Sequence, residues 1–311
     1  MGLADRVQLE FCCEKDLSCR NFLEKVHEPK HMYHDIAGKG VASMPEVDLY
    51  TAGFPCQPWS RSGLRQGRRD KQGRGNIFHY VAEYIYHKLP KVCLLENVAS
   101  LTWNCHHEAF QSMLATLRQS GKYFITWRLL NAADFGIPQN RPRVFIMGFL
   151  RSAMVSPGFL WPTPTGLPMP LPVERFLCGG AGVFAKPGGR AEDILQQGLQ
   201  TIREEGGNPN TTTYALDLLS GRKHPQRMVK RVPCLTRNRA GVGGYYITSV
   251  KRMLTVEEML HLMGLPRAYR AKGRAAGLTD RQIGLMVGNA IATNVLQVIL
   301  GRALHMIGKH Q

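Results

Sequence analysis

Cys56 and Glu96 are the side chains whose surroundings point most directly to chemistry. Cys56 stands in the run Thr51-Ala52-Gly53-Phe54-Pro55-Cys56-Gln57-Pro58-Trp59-Ser60. The stretch before it, Val47 to Ala52, is short and apolar and reads as a buried strand. A thiol in an electropositive setting is a nucleophile that can form a covalent intermediate. Glu96 follows a second apolar run, Val92-Cys93-Leu94-Leu95, and opens Glu96-Asn97-Val98. A carboxyl there can transfer a proton or steady a developing charge. In open parallel sheets, ligands bind outside the carboxyl ends of the strands. The two runs therefore bring a thiol and a carboxyl to one rim. The plain alternatives are a buried cysteine that only packs and a glutamate that caps a helix or pairs with a cation.

Positioning them requires strands alternating with helices. Val7 to Cys12, Val47 to Ala52, Val92 to Leu95, Tyr123 to Leu130 and Val144 to Leu150 read as strands. Leu17 to Val26, Ile77 to Leu89 and Glu108 to Gln119 read as helices. This order predicts a mainly parallel sheet with helices on both faces. After Leu150 the character changes. Residues 151 to 250 are rich in Pro and Gly, as in Trp161-Pro162-Thr163-Pro164 and Gly206-Gly207-Asn208-Pro209, and their periodicity is poor. Regular structure then returns. Thr255 to Glu258 and Thr279 to Gln282 have the spacing of capping boxes, and Ala290 to Leu304 reads as a long helix with one apolar face. The expected organisation is a catalytic and cofactor-binding domain over 1–150, a second domain over 151–250, and a segment over 251–311 that returns to the first.

The chain has 311 residues, 44% of them hydrophobic, and a formal charge of +17. That surplus favours a polyanionic partner. Its distribution adds to the argument, since Arg61, Arg65, Arg68, Arg69, Lys71 and Arg74 crowd the loop after the thiol. Arg222, Lys223, Arg227, Lys230, Arg231, Arg237, Arg239, Lys251 and Arg252 crowd a later stretch. The eight cysteines lack paired ligand spacing, so no metal site is expected. There is no signal peptide and no long apolar run, so no membrane partner is expected. The expected location is intracellular with reduced thiols: the nucleus in a eukaryote, otherwise the cytoplasm.

On these residues the chain resembles the cytosine-C5 DNA methyltransferases. The Gly-Phe-Pro-Cys-Gln and Glu-Asn-Val segments are similar to that family's, and three more follow in its order. They are Gln139-Asn140-Arg141-Pro142-Arg143, the stretch Arg252 to Pro266, and Gly288-Asn289-Ala290-Ile291. The resemblance runs from about Val7 to about Ile307. It implies an α/β fold with a Rossmann-like S-adenosylmethionine-dependent methyltransferase sheet and a smaller, irregular target-recognition domain over 151–250.

The resemblance also implies roles. Cys56 would be the nucleophile that adds to cytosine carbon 6, Glu96 the group on ring nitrogen 3, and Arg143 a contact to the target base. Gln139 and Arg141 would hold their loop. Glu14 would take ribose hydroxyls of S-adenosyl-L-methionine, Asp35 and Ile36 its adenine, and Pro55 and Asn289 would line the same pocket. Ser60, Arg61, Thr236 and Arg237 would contact double-stranded DNA. The target base must leave the stack, and the loop from Gln57 to Gly75 is the expected closing element. The protein would act as a monomer.

One departure stands out. The family opens with a strand and a Phe-x-Gly-x-Gly turn, yet this chain has no glycine from Leu3 to Ala37. A βαβ unit needs about 30 residues, and Glu14 comes too early for one to precede it. The expectation is that the first strand is missing and that a further N-terminal segment or a partner chain supplies it. Other readings remain open: a transfer RNA cytosine methyltransferase, an inactive nucleic-acid-binding paralogue, or a fragment.

Overall fold

A computed structural model describes residues 7–38, 40–55, 77–164, 171–178, 188–221 and 225–307. Cys56, Ser60, Arg61 and the rest of the basic loop to Gly75 lie outside the described residues, as do Arg222 and Lys223. The fold clusters into two units. The first comprises Met1–Leu130, Pro142–Thr163 and Gln297–Gln311, the second Asn131–Arg141 and Pro164–Leu296. This division differs from boundaries at 150 and 250. Residues 131–141 and 251–296 cluster with the second unit, because the side chains of Gln139 and Arg141 are hydrogen-bonded within it.

The first unit begins with β1 (Phe11–Cys13), α1 (Leu17–Val26) and β2 (His31–Tyr33). Helix α1 starts where Asp16 accepts hydrogen bonds from the N–H groups of Ser18 and Cys19, which satisfies donors a helix start leaves open. Strands β1 and β2 pair in parallel, Cys13 opposite Tyr33. Next come β3 (Leu49–Gly53), α2 (Ile77–Lys88), β4 (Val92–Val98), α3 (His107–Arg118) and β5 (Tyr123–Asn131). After β6 (Gln139–Asn140) in the second unit, β7 (Pro142–Leu150) returns. Phe78, Val81, Ala82, Tyr84 and Ile85 form the buried stripe of α2, the spacing of one helix face.

These strands form a sheet in the order β3-β4-β7-β5. The pairing of β3 with β4 is parallel, but β4 with β7 is antiparallel. The sheet is therefore mixed rather than mainly parallel: an apolar strand run carries no mark of its direction. Strands β1 and β2 form a separate two-stranded sheet. The two sheets share one aromatic core, with the Phe11 ring stacked 6.3 Å from that of Tyr50 and tilted against that of Tyr84 at 5.4 Å.

The second unit holds α4 (Arg190–Glu204), β8 (Tyr214–Asp217), β9 (Gln226–Val229), β10 (Val232–Pro233), α5 (Arg237–Gly241), β11 (Tyr245–Ile247), β12 (Arg252–Met253), α6 (Val256–His261), α7 (Tyr269–Ala275) and α8 (Asp280–Asn289). The helix α9 (Thr293–Leu304) runs across the division. Its sheet has the order β12-β11-β8-β9. Ala191, Ile194, Leu195, Gly198 and Ile202 bury one stripe of α4, a helix within the interval whose sequence periodicity reads as poor.

Both capping boxes form. Thr255 Oγ1 accepts from Glu258 N at 3.1 Å, and Glu258 Oε2 accepts from Thr255 N at 2.8 Å. The buried Glu258 also accepts from Arg252 at 2.6 and 2.8 Å and from Cys178 N at 3.0 Å. Burial pushes its pKa up, but these donors outweigh burial and hold the carboxyl below its ordinary value. Its stabilising contribution is thus present at neutral pH and fades as pH falls through the folded-state value. Glu258→Ala leaves Arg252 and two backbone N–H groups without their acceptor. The expected loss is about 3 kcal/mol, the low end for breaking a buried pair, since Arg252 keeps some contact with water. Urea unfolding of the variant checks this; a loss below about 1 kcal/mol would mean that water replaces the carboxylate.

Candidate active site

The carboxyl ends of β3 and β4 meet at one rim of the first unit. Gly53 lies opposite Glu96 in the parallel register. Immediately beyond, the buried Asn97 donates from Nδ2 to the carbonyl of Phe54 at 3.1 Å. Phe54 is itself buried, its ring 5.6 Å from that of Phe78. A fixed peptide link thus runs to Pro55, the last described residue before Cys56. Asn97 is the residue whose part here is missed by sequence reasoning. Its signal is its type: an amide just after an apolar strand needs partners once buried.

Glu96 has a cation at hand. The antiparallel register sets Glu96 opposite Phe145 and Val98 opposite Arg143. Glu96 and Arg143 are therefore diagonal neighbours on one sheet face, within reach of long side chains. Arg143 Nε lies 3.0 Å from Glu96 Oε1, with side chains only 13% and 11% exposed. Arg143 Nη1 donates to its neighbour's carbonyl, Pro142 O, at 2.9 Å. Both side chains are held in place before any ligand arrives. The carboxylate and guanidinium can together meet the polar edge of a planar heterocycle.

Glu14 and Asp35 follow the neighbouring strands β1 and β2. Glu14 N donates to Tyr33 O at 3.0 Å, so the end of β1 is laced to that of β2. Glu14 Oε1 accepts from Asp16 N at 2.8 Å. Asp35 accepts from Lys15 Nζ and from Ala37 N, both of which, Lys15 first, lower its pKa. Ile36 packs against the core of the unit. Cys13 directly precedes Glu14. Burial pushes its thiol up to about 11, and the charges of Asp35 and then Glu14 push the same way. Glu14 and Asp35 bring two carboxylates to this rim, with Lys15 on Asp35, and their oxygens can accept from hydroxyl and amino donors. Such acceptors fit the ribose hydroxyls and the adenine amino group of an adenosyl cofactor.

Gln139 and Arg141 organise the second unit. Gln139, fully buried, donates from Nε2 to Leu262 O at 2.7 Å and accepts from Leu235 N at 3.1 Å. Arg141 donates to the carbonyls of Leu235 at 2.6 Å, Gly288 at 3.2 Å and Ala290 at 2.6 Å. Both hold their loop through hydrogen bonds to the backbone of the second unit. Arg141 brackets Asn289, the exposed last residue of α8. Thr236 precedes α5 and Arg237 opens it, both half-buried. Thr236 N donates to the hydroxyl of Tyr245 at 3.0 Å. Helix α5 sits backbone-close on α8. A Cβ at Gly288 would lie 2.4 Å from Arg237 N, and one at Gly284 would lie 2.4 Å from Ala240 O. The glycine of the Gly288-Asn289 motif is thus required by this contact. Among the expected site residues, Glu14, Asp35, Ile36, Pro55, Glu96 and Arg143 belong to the first unit, and Thr236, Arg237 and Asn289 to the second.

A family model described as C-5 cytosine-specific DNA methylase matches residues 4–175 and 186–305. The Type II methyltransferase M.NgoBI of Neisseria gonorrhoeae is 31% identical over 266 residues, covering 85% of this chain and 76% of the relative. M.NlaX of Neisseria lactamica, also a Type II methyltransferase, is 37% identical over 162 residues, covering 52% of this chain and 50% of the relative. Among solved structures, the Entamoeba histolytica methyltransferase EhMeth aligns with a TM-score of 0.64 at 15% identity, covering 94% of this chain and 88% of that one. The S. pombe Dnmt2 methyltransferase aligns with a TM-score of 0.61 at 14% identity, covering 96% and 90%. These two likenesses bear on the fold.

Proposed function

The chain belongs to the C-5 cytosine-specific DNA methylase family and is by that membership a DNA cytosine-5 methyltransferase; we propose that Cys56 is its nucleophile and that Glu96 and Arg143 receive the target base. The observation that carries this reading is the rim of β3 and β4. Gly53 faces Glu96, Asn97 holds the Phe54 carbonyl, and Arg143 lies on Glu96. The tether of the thiol and the carboxyl–guanidinium pair therefore share one edge.

Carbon 5 of cytosine is a poor nucleophile. In the proposed reaction the Cys56 thiolate adds to carbon 6 and pushes electron density onto nitrogen 3 and, through the enamine form, onto carbon 5. Glu96, protonated, donates its proton to nitrogen 3 where that charge develops, with Arg143 fixing its carboxyl and steadying the base. Once carbon 5 is methylated, a base accepts its proton, and the electrons of that C–H bond re-form the 5,6 double bond as the thiolate leaves. The base must be flipped from the duplex for this contact, and Ser60 and Arg61 would bind the backbone beside it. S-adenosyl-L-methionine, when bound, supplies the methyl group on a sulfonium centre. Glu14 would hold its ribose hydroxyls and Asp35 its adenine amino group, with Ile36 and Pro55 beside them in the same unit.

Residues 151–250 would read the target sequence, with Thr236 and Arg237 on the DNA. Strand β1 pairs with β2 and β3 with β4, and each has its other edge unpaired among the described residues. These edges support placing a further parallel strand there, from a segment or chain outside the described residues.

The test is transfer of labelled methyl from S-adenosyl-L-methionine to duplex DNA, with transfer RNA in a parallel tube. Label is expected in DNA. Label confined to transfer RNA would reassign the substrate. A second arm adds an upstream polypeptide carrying a strand and a glycine turn. Higher cofactor affinity is expected, and no change would remove the added strand from the reading.

A further inference from the structure

Asp217 ends β8, a strand flanked in its sheet by β11 and β9. Its side chain has no solvent exposure. Oδ1 accepts from Leu219 N at 3.0 Å. Oδ2 lies 3.1 Å from Arg239 Nη1, an approach off hydrogen-bond geometry, so the link is one of charge. A buried carboxylate is costly and is a weak source of stability. Burial pushes the pKa of Asp217 up, and Arg239 pulls it back.

Both partners are fixed from behind. Asp217 stands opposite Tyr245 in the antiparallel register. Arg239 lies on α5, whose backbone is seated against the glycines of α8. Gly244 ties the two together, donating to Arg239 O at 2.8 Å and accepting from Leu218 N at 2.9 Å. The Arg239 side chain is 26% exposed. The charge of Asp217 thus holds the Arg239 guanidinium near it, and the side chain keeps partial contact with solvent.

We propose that Asp217 is a positioning residue that presents Arg239 as a fixed fork to a guanine edge in the major groove of the target DNA. This rests on the DNA methyltransferase reading. A phosphate accepts a flexible cation from many directions, and an anchored guanidinium adds little there. The O6 and N7 atoms of guanine need an in-plane bidentate fork, which an anchored arginine supplies.

The test selects bound duplexes from a randomised pool, using the full chain, Asp217→Asn, Arg239→Gln and Arg239→Lys. Methyl transfer is measured separately. The full chain should enrich a motif containing a guanine. Arg239→Gln should lose preference at that one position, by about tenfold or more, and keep the others. Asp217→Asn should relax the same position, and Arg239→Lys should not rescue it. If Asp217→Asn fails to fold, the two Arg239 variants carry the test. A weaker but unchanged motif in Arg239→Gln, with a shallower salt dependence, would make Arg239 a phosphate contact and overturn the proposal. So would a full chain that enriches no motif. A motif lost as proposed, without methyl transfer to DNA, would instead sink the functional reading and leave this one standing.

Discussion

Cys56→Ala brings methyl transfer to background while duplex binding stays nearly intact. Without addition to carbon 6, carbon 5 never gains enamine character, so no weaker route replaces the lost step. Removing a covalent nucleophile costs on the order of 10⁴- to 10⁶-fold in other enzymes, and an effect of that order is expected here. Binding should survive because the basic residues that meet the backbone are untouched. The measurements are methyl incorporation, filter binding, and trapping on a duplex carrying 5-fluorocytosine, whose carbon 5 has no proton to lose. The unaltered chain should form a heat-stable adduct, and the variant none. Equal loss of binding and transfer, with a lowered unfolding temperature, would make Cys56 a structural residue.

Glu96→Gln is expected to lower the transfer rate by about 10²- to 10³-fold, the range for a proton donor or charge-stabilising group at a reacting heterocycle. The amide keeps the shape of the side chain but not its charge or acidity. It also takes the charge from the partner of Arg143, which lies 3.0 Å away and is largely withdrawn from solvent. The measurement is single-turnover transfer across a range of pH. A chemical role lowers the rate of transfer more than affinity for DNA and changes the pH profile. A purely structural ion pair would lower thermal stability and leave that profile unchanged.

How far the sequence foretells these arrangements depends on the range of the interaction. The bounds of α1 are legible because Asp16 caps it locally and its apolar residues are spaced for one face. The boxes at Thr255 and Thr279 are legible for the same reason, since each needs residues only three apart. The strand runs before Cys56 and Glu96 are short and apolar, so their place in a sheet is clear. The direction of β7 is not, because alternation and hydrophobicity read the same either way. Helix α4 was obscured by Gly198 and the glutamines on its outer face, although its buried stripe is regular. The partners of Arg141 lie more than 90 residues away in sequence, and nothing local marks them. Asp217 and Arg239 are 22 residues apart, and only the acid's place inside Ala215-Leu216-Asp217-Leu218 hints that it needs a companion.

The contact between α5 and α8 has an evolutionary consequence. Gly284 and Gly288 seat α5 by what they lack, so its position does not depend on the outward side chains it carries. Asn238, exposed on that helix, can be exchanged without re-solving the packing beneath it, and Arg239 only together with the buried Asp217 that it pairs with. A lineage could acquire a new recognition site by changing letters on a fixed rail, while the rail itself is closed to drift. Diversity among descendants should therefore gather at position 238 and at the pair 217 and 239 changing together, and the two glycines should stay silent.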